Sequence, residues 1–431
     1  IPEFSQIRRM AVFTEDSEAV VVFDMCSIHK EVFAPLWKLR VFTHDGVELL
    51  RHWPGLLDQS KAVESTLLMA NSFRNARETL DVLLTRHKIL TEFSMPSDPD
   101  WCLAEQTVAL ALLSLTLHDL MAKEDKRELY TLMRNAQRAV ASMELAGIAF
   151  DMTAHEKLCA QWKDEKARLR GKLPKDVNFR SDEEVHDWIK SVVPSKRRKE
   201  WVTEKGGFSI ADGFLSQVDD IPEIHAFREY RKQVSVLSKC GVNFTKYVNP
   251  RTHRIHANFL IGQANTGRSS CRNPNLQGVL RAPEFRALFH APSGKKFLAA
   301  DVSQIELRIA AILANDKVML RIYDRGLDLH RHTASLITGV KYEQITAEQR
   351  HLAKAANFGI LYGQGVSGFR KQAAQDYDLD LDESTARELR KAWLDSFPGI
   401  VAWHQKTEED LYTDNMILTM GGREARGEGY T

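Results

Sequence analysis

The sequence predicts an α/β layer domain at the N-terminus, followed by a longer α+β region dominated by helices. Three observations carry that reading. Before about residue 125, short apolar runs alternate with helical segments. Between about 126 and 250 the chain is charged and helical in period. From 255 the texture changes to an alternating strand, a loop rich in Asn, Gly, Ser and Pro, and an apolar run that leads into a helix. At 431 residues the chain is long enough for two or three separate cores.

The elements follow in order. AVVVFDM (19–25) reads as a strand, and ETLDVLLTRHKIL (78–90) and EQTVALALLSLTLHDLMAKE (105–124) read as helices, with SMPSDPD (94–100) as a loop. RELYTLMRNAQRAVASMELAG is helical, with Gly147 as its C-cap and a short extended IAFD after it. The basic cluster SKRRKEW (195–201) fits a solvated surface better than a phosphate-binding tip. IHANFLIGQ alternates like a strand, and KKFLAADVSQ reads as a buried strand running into the helix IELRIAAILA. Internal repeats and low-complexity segments are absent from the sequence.

Composition excludes some classes of function. The chain is 43% hydrophobic and 27% charged, the balance of an ordinary globular protein. Its formal net charge is +1, so contact with nucleic acid needs local clustering of Lys and Arg. The five cysteines (Cys26, Cys102, Cys159, Cys240, Cys271) are odd in number and lack a C-x-x-C pair. That argues for a reducing compartment, against a disulfide framework and against a zinc site. The longest apolar run, TVALALLSLTL (107–117), is too short to cross a bilayer, and no signal peptide is visible. The chain opens on Ile1 and ends at GREARGEGYT, which predicts a fragment cut at both ends.

Two stretches carry chemistry. In RHLAKAANFGILYG (350–363), Arg350, Lys354, Phe358 and Tyr362 recur at steps of four and so share one helix face. A core-facing stripe is apolar throughout; this one is cationic at its start and aromatic at its end. It suits a ligand with phosphates at one end and a flat ring at the other. In FLAADVSQIELR (297–308), Asp301 ends an apolar run, where a carboxylate is expensive to bury alone. It is either a structural cap or salt bridge or a hard oxygen ligand for Mg²⁺, and Ser303 is itself a candidate cap for the next helix. Glu306 is either a dipole-matched surface acid or a second group facing the same cavity.

The order of these pieces resembles the family A DNA polymerases, the bacterial DNA polymerase I type, from about residue 130 onward. TGRSSCRNPNLQG (266–278) resembles the TGR-x5-PNLQ loop, and DVSQIELR resembles motif A, usually DYSQIELR. GLDLHRHTA (326–334) resembles the fingers segment with a phosphate-contacting His, and RHLAKAANFGILYG resembles motif B, R-x3-K-x3-F-G-x2-Y-G. The resemblance implies a partial RNase H-like, exonuclease-like domain at 1–125 and then a right-hand polymerase fold. That fold would have a helical thumb at 126–255, a β-sheet palm with motif A at 256–312, and, at 313–431, helical fingers with motif B and the start of the return to the palm.

It also implies roles. Asp301 and the Val302 carbonyl would bind two Mg²⁺ ions, with Val in place of the usual Tyr. Arg350 and Lys354 would hold the β- and γ-phosphates of a dNTP, and His330 and Arg286 would add donors. Gln304 would join the dNTP site, Phe358 would stack on the incoming base or sugar, and Gly359 would leave room for that approach. Tyr362 would pack at the templating position, and Glu306 would exclude a ribose 2′-hydroxyl. Arg268, Asn275 and Gln277 would contact the primer–template minor groove, where the acceptors look alike for every correct pair. The Ser-Ser-Cys after Arg268 departs from the usual Leu-Ser-Ser.

Two expected features are missing. No His-Asp-Glu, the family's second catalytic motif, occurs in the 431 residues, so one Mg²⁺ ligand is lacking and this fragment alone is expected to be inactive. The N-terminal region lacks the exonuclease's Asp-x-Glu: Asp24 is followed by Cys26, Asp45 or Glu48 are weak candidates for the second motif, and Trp101 and Glu105 replace Tyr and Asp in the third. A degenerate exonuclease scaffold is the expectation. The resemblance thus implies a DNA-directed DNA polymerase acting in replication or repair. Its partners would be primer–template DNA and dNTPs but no membrane. It would be a monomer in the cytoplasm at the nucleoid, or in the host cytoplasm if viral. The alternative is a non-catalytic primer–template-binding protein on the same fold.

Overall fold

In the computed structural model, residues 9–13, 20–24, 40–52, 62–73, 78–89, 99–198, 210–264, 266–377, 379–419 and 421–426 are described. The chain divides into two units, residues 1–297 with 418–425 and residues 298–417 with 426–431.

The first unit opens with an antiparallel pair, β1 (Arg9–Phe13) and β2 (Val20–Asp24), in register from Arg9 opposite Asp24 to Phe13 opposite Val20. The strand expected at 19–25 is therefore present. β3 (Arg40–Thr43) and β4 (Ala62–Ser65) pair in parallel, which demands a crossover, and α1 (Gly46–His52) lies within it. Helices α2 (Thr66–Phe73), α3 (Leu80–Arg86) and α4 (Pro99–Lys123) follow. α4 buries Ala109, Leu113, Leu117 and Met121, a stripe at intervals of four, against Leu68, Met69 and Leu84. The helix expected at 78–90 is shorter at both ends. Of the loop expected at 94–100, residues 94–98 lie outside the described residues. Pro99 and Asp100 are helical, since the fixed φ of proline suits a first turn.

α5 (Arg127–Ala146) ends where expected, at Gly147, whose φ of 57° is costly for any residue with a Cβ. β5 (Ile148–Phe150) follows, and Asp151 caps α6 (Met152–Arg170) by accepting from the Ala154 amide. α7 (Asp182–Val192) and α8 (Pro222–Cys240) complete the charged helical stretch. In the basic cluster, Arg197 donates twice to Asp220, and Arg198 donates to the Val193 and Lys190 carbonyls. Internal bonds therefore use both guanidinium groups, and residues 199–201 lie outside the described residues. The later strands are β6 (Arg254–Ile255), β7 (Asn258–Leu260), β8 (Ser270–Arg272) and β9 (Phe289–His290). They form a three-stranded sheet β6-β5-β9 and a β7-β8 pair. Phe150, Phe244, Phe285 and Phe289 pack with ring centroids 5.2–6.4 Å apart beneath that sheet.

The second unit is helical: α9 (Ile305–Leu313), α10 (Lys317–Asp324), α11 (Leu329–Thr338), α12 (Ala347–Leu361), α13 (Val366–Tyr377), α14 (Glu383–Ser396) and α15 (Pro398–Asp414). Trp393, Phe397 and Phe369 are fully buried at its centre with Leu307, Ala356 and Ile360. Each large side chain there contributes about 1.5–3 kcal/mol of transfer free energy. Asp316 is buried and accepts from the Val318 and Met319 amides at the start of α10. Its other oxygen accepts from the Gly399 amide at 2.8 Å, 83 residues along the chain.

One expectation is overturned here. Residues 297–301 form no strand, and Leu298 is 94% exposed. A strand exists only where a neighbour pairs its backbone and covers its side chains, and no described residue does so for this run. Nor does Ser303 cap α9. Gln304 stands at that position in the left-handed conformation, without a side-chain cap bond.

Candidate nucleotide site

α12 is started by a capping box. The Thr346 hydroxyl accepts from the Gln349 amide at 3.2 Å, and the Gln349 side chain accepts from the Thr346 amide at 3.0 Å. From Ala353 to Leu361 the helix is buried except at Lys354 and Phe358, which are half-buried like Arg350. Tyr362 is the C-cap and is 59% exposed. The row of four seen in the sequence is thus the accessible edge of an otherwise buried helix.

Each member of the row touches a neighbour. Arg350 donates to Asp328 Oδ2 from Nη2 at 2.6 Å and from Nε at 3.2 Å. Asp328 also caps α11, its Oδ1 accepting from the Arg331 amide at 2.8 Å. Burial by itself raises the Asp328 carboxyl, but Arg350 and that amide outweigh it and hold the group below its ordinary value. The Lys354 ammonium lies 5.8 Å from the centre of the Tyr377 ring. Phe358 leans on the His330 ring, centroids 5.8 Å apart, and the Tyr362 hydroxyl donates to Glu306 on α9.

His330 is 3% exposed on the first turn of α11. Its Nδ1 receives a hydrogen bond from Asn357 Nδ2 at 2.8 Å. Asn357 is fully buried, and its Oδ1 accepts from Trp393 Nε1 at 2.7 Å and from the Thr333 hydroxyl at 3.1 Å. Burial pushes the His330 imidazole down to about 4, the nearby Arg350 and Lys354 push it the same way, and Asp328 opposes them. The ring is therefore neutral at physiological pH, with two cations on the adjacent helix.

Asp301 and Val302 are exposed in the segment before α9, and the Gln304 side-chain oxygen accepts from the Tyr323 hydroxyl at 3.2 Å. Among the described residues, no group of three or more His, Cys, Asp or Glu is placed to hold a metal ion. One carboxylate and one carbonyl do not make a two-ion site, so the residues described do not by themselves fit a pair of Mg²⁺ ions.

Gly359 differs from its expected use. A Cβ there would lie 2.8 Å from Gln372 Oε1, 2.9 Å from Phe369 Cδ2 and 3.1 Å from Gln364 Oε1. The glycine makes room for α13, not for a ligand, because it stands about 100° around the helix from Phe358.

In the first unit, Arg268 lies just before β8 and Asn275 and Gln277 just after it, all three exposed. Asn275 Oδ1 accepts from the Gln277 amide at 3.1 Å, and Gln277 Nε2 donates to the Ser269 carbonyl at 3.3 Å. Arg286 is exposed on a one-turn helix, Pro283–Arg286. Of the N-terminal acids, Asp24 ends β2, and Asp45 Oδ1 caps α1 by accepting from the Val47 and Glu48 amides. Trp101 and Glu105 lie on α4, and Cys26 is outside the described residues.

Sequence reading missed Asp328, Thr333, Asn357 and Trp393. An Asp immediately ahead of LHRHTA is an N-cap signal, and a lone Asn among Ala353, Ala355 and Ala356 marks a polar group on a core face.

The profile of DNA polymerase family A matches residues 152–428. The chain is 32% identical over 276 residues to DNA polymerase I of Aquifex aeolicus, covering 64% of this chain and 47% of that protein. It is 32% identical over 304 residues to the thermostable DNA polymerase I of Thermus filiformis, covering 67% and 35%. Against DNA polymerase I of Pseudomonas aeruginosa the identity is 29% over 354 residues, covering 80% and 34%. The chain therefore spans between a third and a half of the length of these relatives. Its fold is similar, at a TM-score of 0.83 and 23% identity, to the POL domain of Pol1 from M. smegmatis, solved in complex with DNA primer-template and dNTP. That likeness covers 97% of this chain and 75% of that one. With more than half its length under the family profile and its cationic-aromatic helix face in place, the chain belongs to DNA polymerase family A.

Proposed function

We propose that this chain supplies the nucleotide-holding part of a DNA-directed DNA polymerase, which adds dNTPs to a primer 3′-hydroxyl opposite a template. The observation that carries the reading is the accessible edge of α12: Arg350 and Lys354 one turn apart, then Phe358, with neutral His330 beside them. One guanidinium and one ammonium group neutralise charge that builds on a triphosphate, and a neutral imidazole donates a hydrogen bond without adding a third charge. Phe358 offers a face for a base or sugar, and Glu306 and Tyr362 close the far end of the row. Arg268, Asn275 and Gln277 are the candidates for the primer–template minor groove. Arg286 is a further phosphate donor, and Gln304 is a further nucleotide contact.

In this reading residues 126–255 are the thumb, 256–312 the palm and 313–431 the fingers. Residues 1–125 serve as an exonuclease-like scaffold without nuclease activity. The protein acts as a cytoplasmic monomer at the nucleoid in replication or repair. Divalent ions belong to this chemistry. Asp301 and the Val302 carbonyl are the residues that would meet them, and a second carboxylate is required besides. The single carboxylate favours one second reading, a primer–template binder without catalysis.

Titration of the chain with a dNTP in the presence of primer–template tests the first reading. Wild-type protein is expected to bind, and Arg350→Ala or Lys354→Ala to weaken binding by about 10- to 100-fold, the worth of a hydrogen bond to a charged group. Equal affinity in all three overturns it. Primer extension separates catalysis from binding, and Asp301→Ala should abolish whatever extension the wild-type protein shows.

A further inference from the structure

We infer that Asn357 is a positioning residue that locks His330 into the tautomer carrying its proton on Nε2. Indole Nε1–H can only donate, so the Asn357 atom 2.7 Å from Trp393 Nε1 must be the carbonyl oxygen. The Thr333 hydroxyl donates to that same oxygen at 3.1 Å. The amide is thereby fixed with its NH₂ toward His330, 2.8 Å from Nδ1. An NH₂ group cannot accept, so Nδ1 must present a lone pair, and a neutral ring then carries its hydrogen on Nε2. Asn357, Trp393 and Thr333 are all fully buried, so water cannot substitute for any of them cheaply. Among the described residues the bond to Asn357 is the ring's only hydrogen bond, which leaves Nε2–H as a donor for an incoming anion.

The chain of command thus runs from Trp393 on α14, through Asn357 on α12, to His330 on α11. Its chemical purpose rests on the reading of this face as a triphosphate site. A ring with its proton on Nδ1 would turn a lone pair toward the phosphates and repel them.

The tautomer is read directly by NMR of protein labelled with ¹⁵N in the histidine rings, where protonated and bare ring nitrogens differ widely in shift. The chain has 15 histidines, and the signal missing from His330→Gln identifies the one in question. Wild-type protein near neutral pH should show His330 neutral and protonated on Nε2. In Asn357→Asp a carboxylate oxygen faces Nδ1, so that nitrogen should gain a proton. Trp393→Phe leaves the amide free to turn and should give a mixture of the two tautomers. It also decides the matter if the aspartate variant does not fold. Protonation of wild-type His330 on Nδ1, or an unchanged Nε2–H in every variant that folds, overturns the inference. Titration with dATP in parallel judges the other reading. A wild-type chain that binds no dATP removes the proposed function, while the spectra still settle the role of Asn357. With binding intact, Trp393→Phe should lose about twofold in affinity, the share of molecules in the wrong tautomer, and Asn357→Asp at least about tenfold.

Discussion

The burial of His330 makes a prediction about stability and pH. The ring is 3% exposed, and its pKa in the fold is about 4 against an ordinary 6.5. As pH falls below 6.5, the unfolded chain takes up a proton at this position and the native chain does not until about 4. Stability from this group is therefore complete above 6.5 and is lost progressively as pH falls through 4. At about 1.36 kcal/mol for each pH unit, the loss is about 3 kcal/mol. Asp328, whose carboxyl is held below its ordinary value, stays ionised through most of that window and titrates beneath it.

The perturbation is His330→Gln, which keeps an acceptor for Asn357 but cannot be protonated. Urea unfolding of both proteins at about pH 7.5 and about pH 4 gives the comparison, with the denaturant slope checked for constancy. The wild-type protein should lose about 3 kcal/mol more than the variant between the two conditions. Parallel losses would refute the claim that a neutral, buried imidazole sits in this fold.

Other outcomes follow from the same geometry. Gly359→Ala gains about 1 kcal/mol of helix propensity. The new methyl, however, meets the fully buried Phe369 ring at 2.9 Å, at an overpacking cost of about 1–3 kcal/mol, so urea denaturation should show net destabilisation. Asp328→Asn retains the cap of α11 but loses the charge partner of Arg350. Because that pair is about a third exposed, its unfolding free energy should change by about 1 kcal/mol or less, while dNTP affinity measured by titration falls about fivefold as Arg350 loses its restraint. Lys354→Gln should weaken dNTP binding in a way that added salt reduces, since a point charge is screened and a shaped hydrogen-bond donor is not.

The sequence makes the accessible edge of α12 legible because a period of four is a local property, visible without knowledge of what packs around the helix. Gly147 is legible for the same reason. The reading failed where the cause was distant. An apolar run such as FLAA becomes a strand only if another strand lies beside it, and nothing within the run records that neighbour. The resemblance ties Gly359 to the ligand, yet the residues that need its missing side chain are Phe369 and Gln372 on the next helix and Gln364 just ahead of it. The bond between Tyr362 and Glu306 joins positions 56 residues apart, and Asn357 takes its meaning from Trp393, 36 residues on. Function here is written in pairs, and one member of each pair looks ordinary by itself.

The carboxylate of Asp316 gathers the first amides of α10 with one oxygen and the Gly399 amide with the other. Everything between those points leaves from and returns to a single side chain, so that excursion of the chain is a loop whose two ends share one anchor. The helices inside the loop still share their core with Leu307 and Ile400 on either side of it. The anchor therefore sets where the excursion starts and stops, while apolar packing holds it shut.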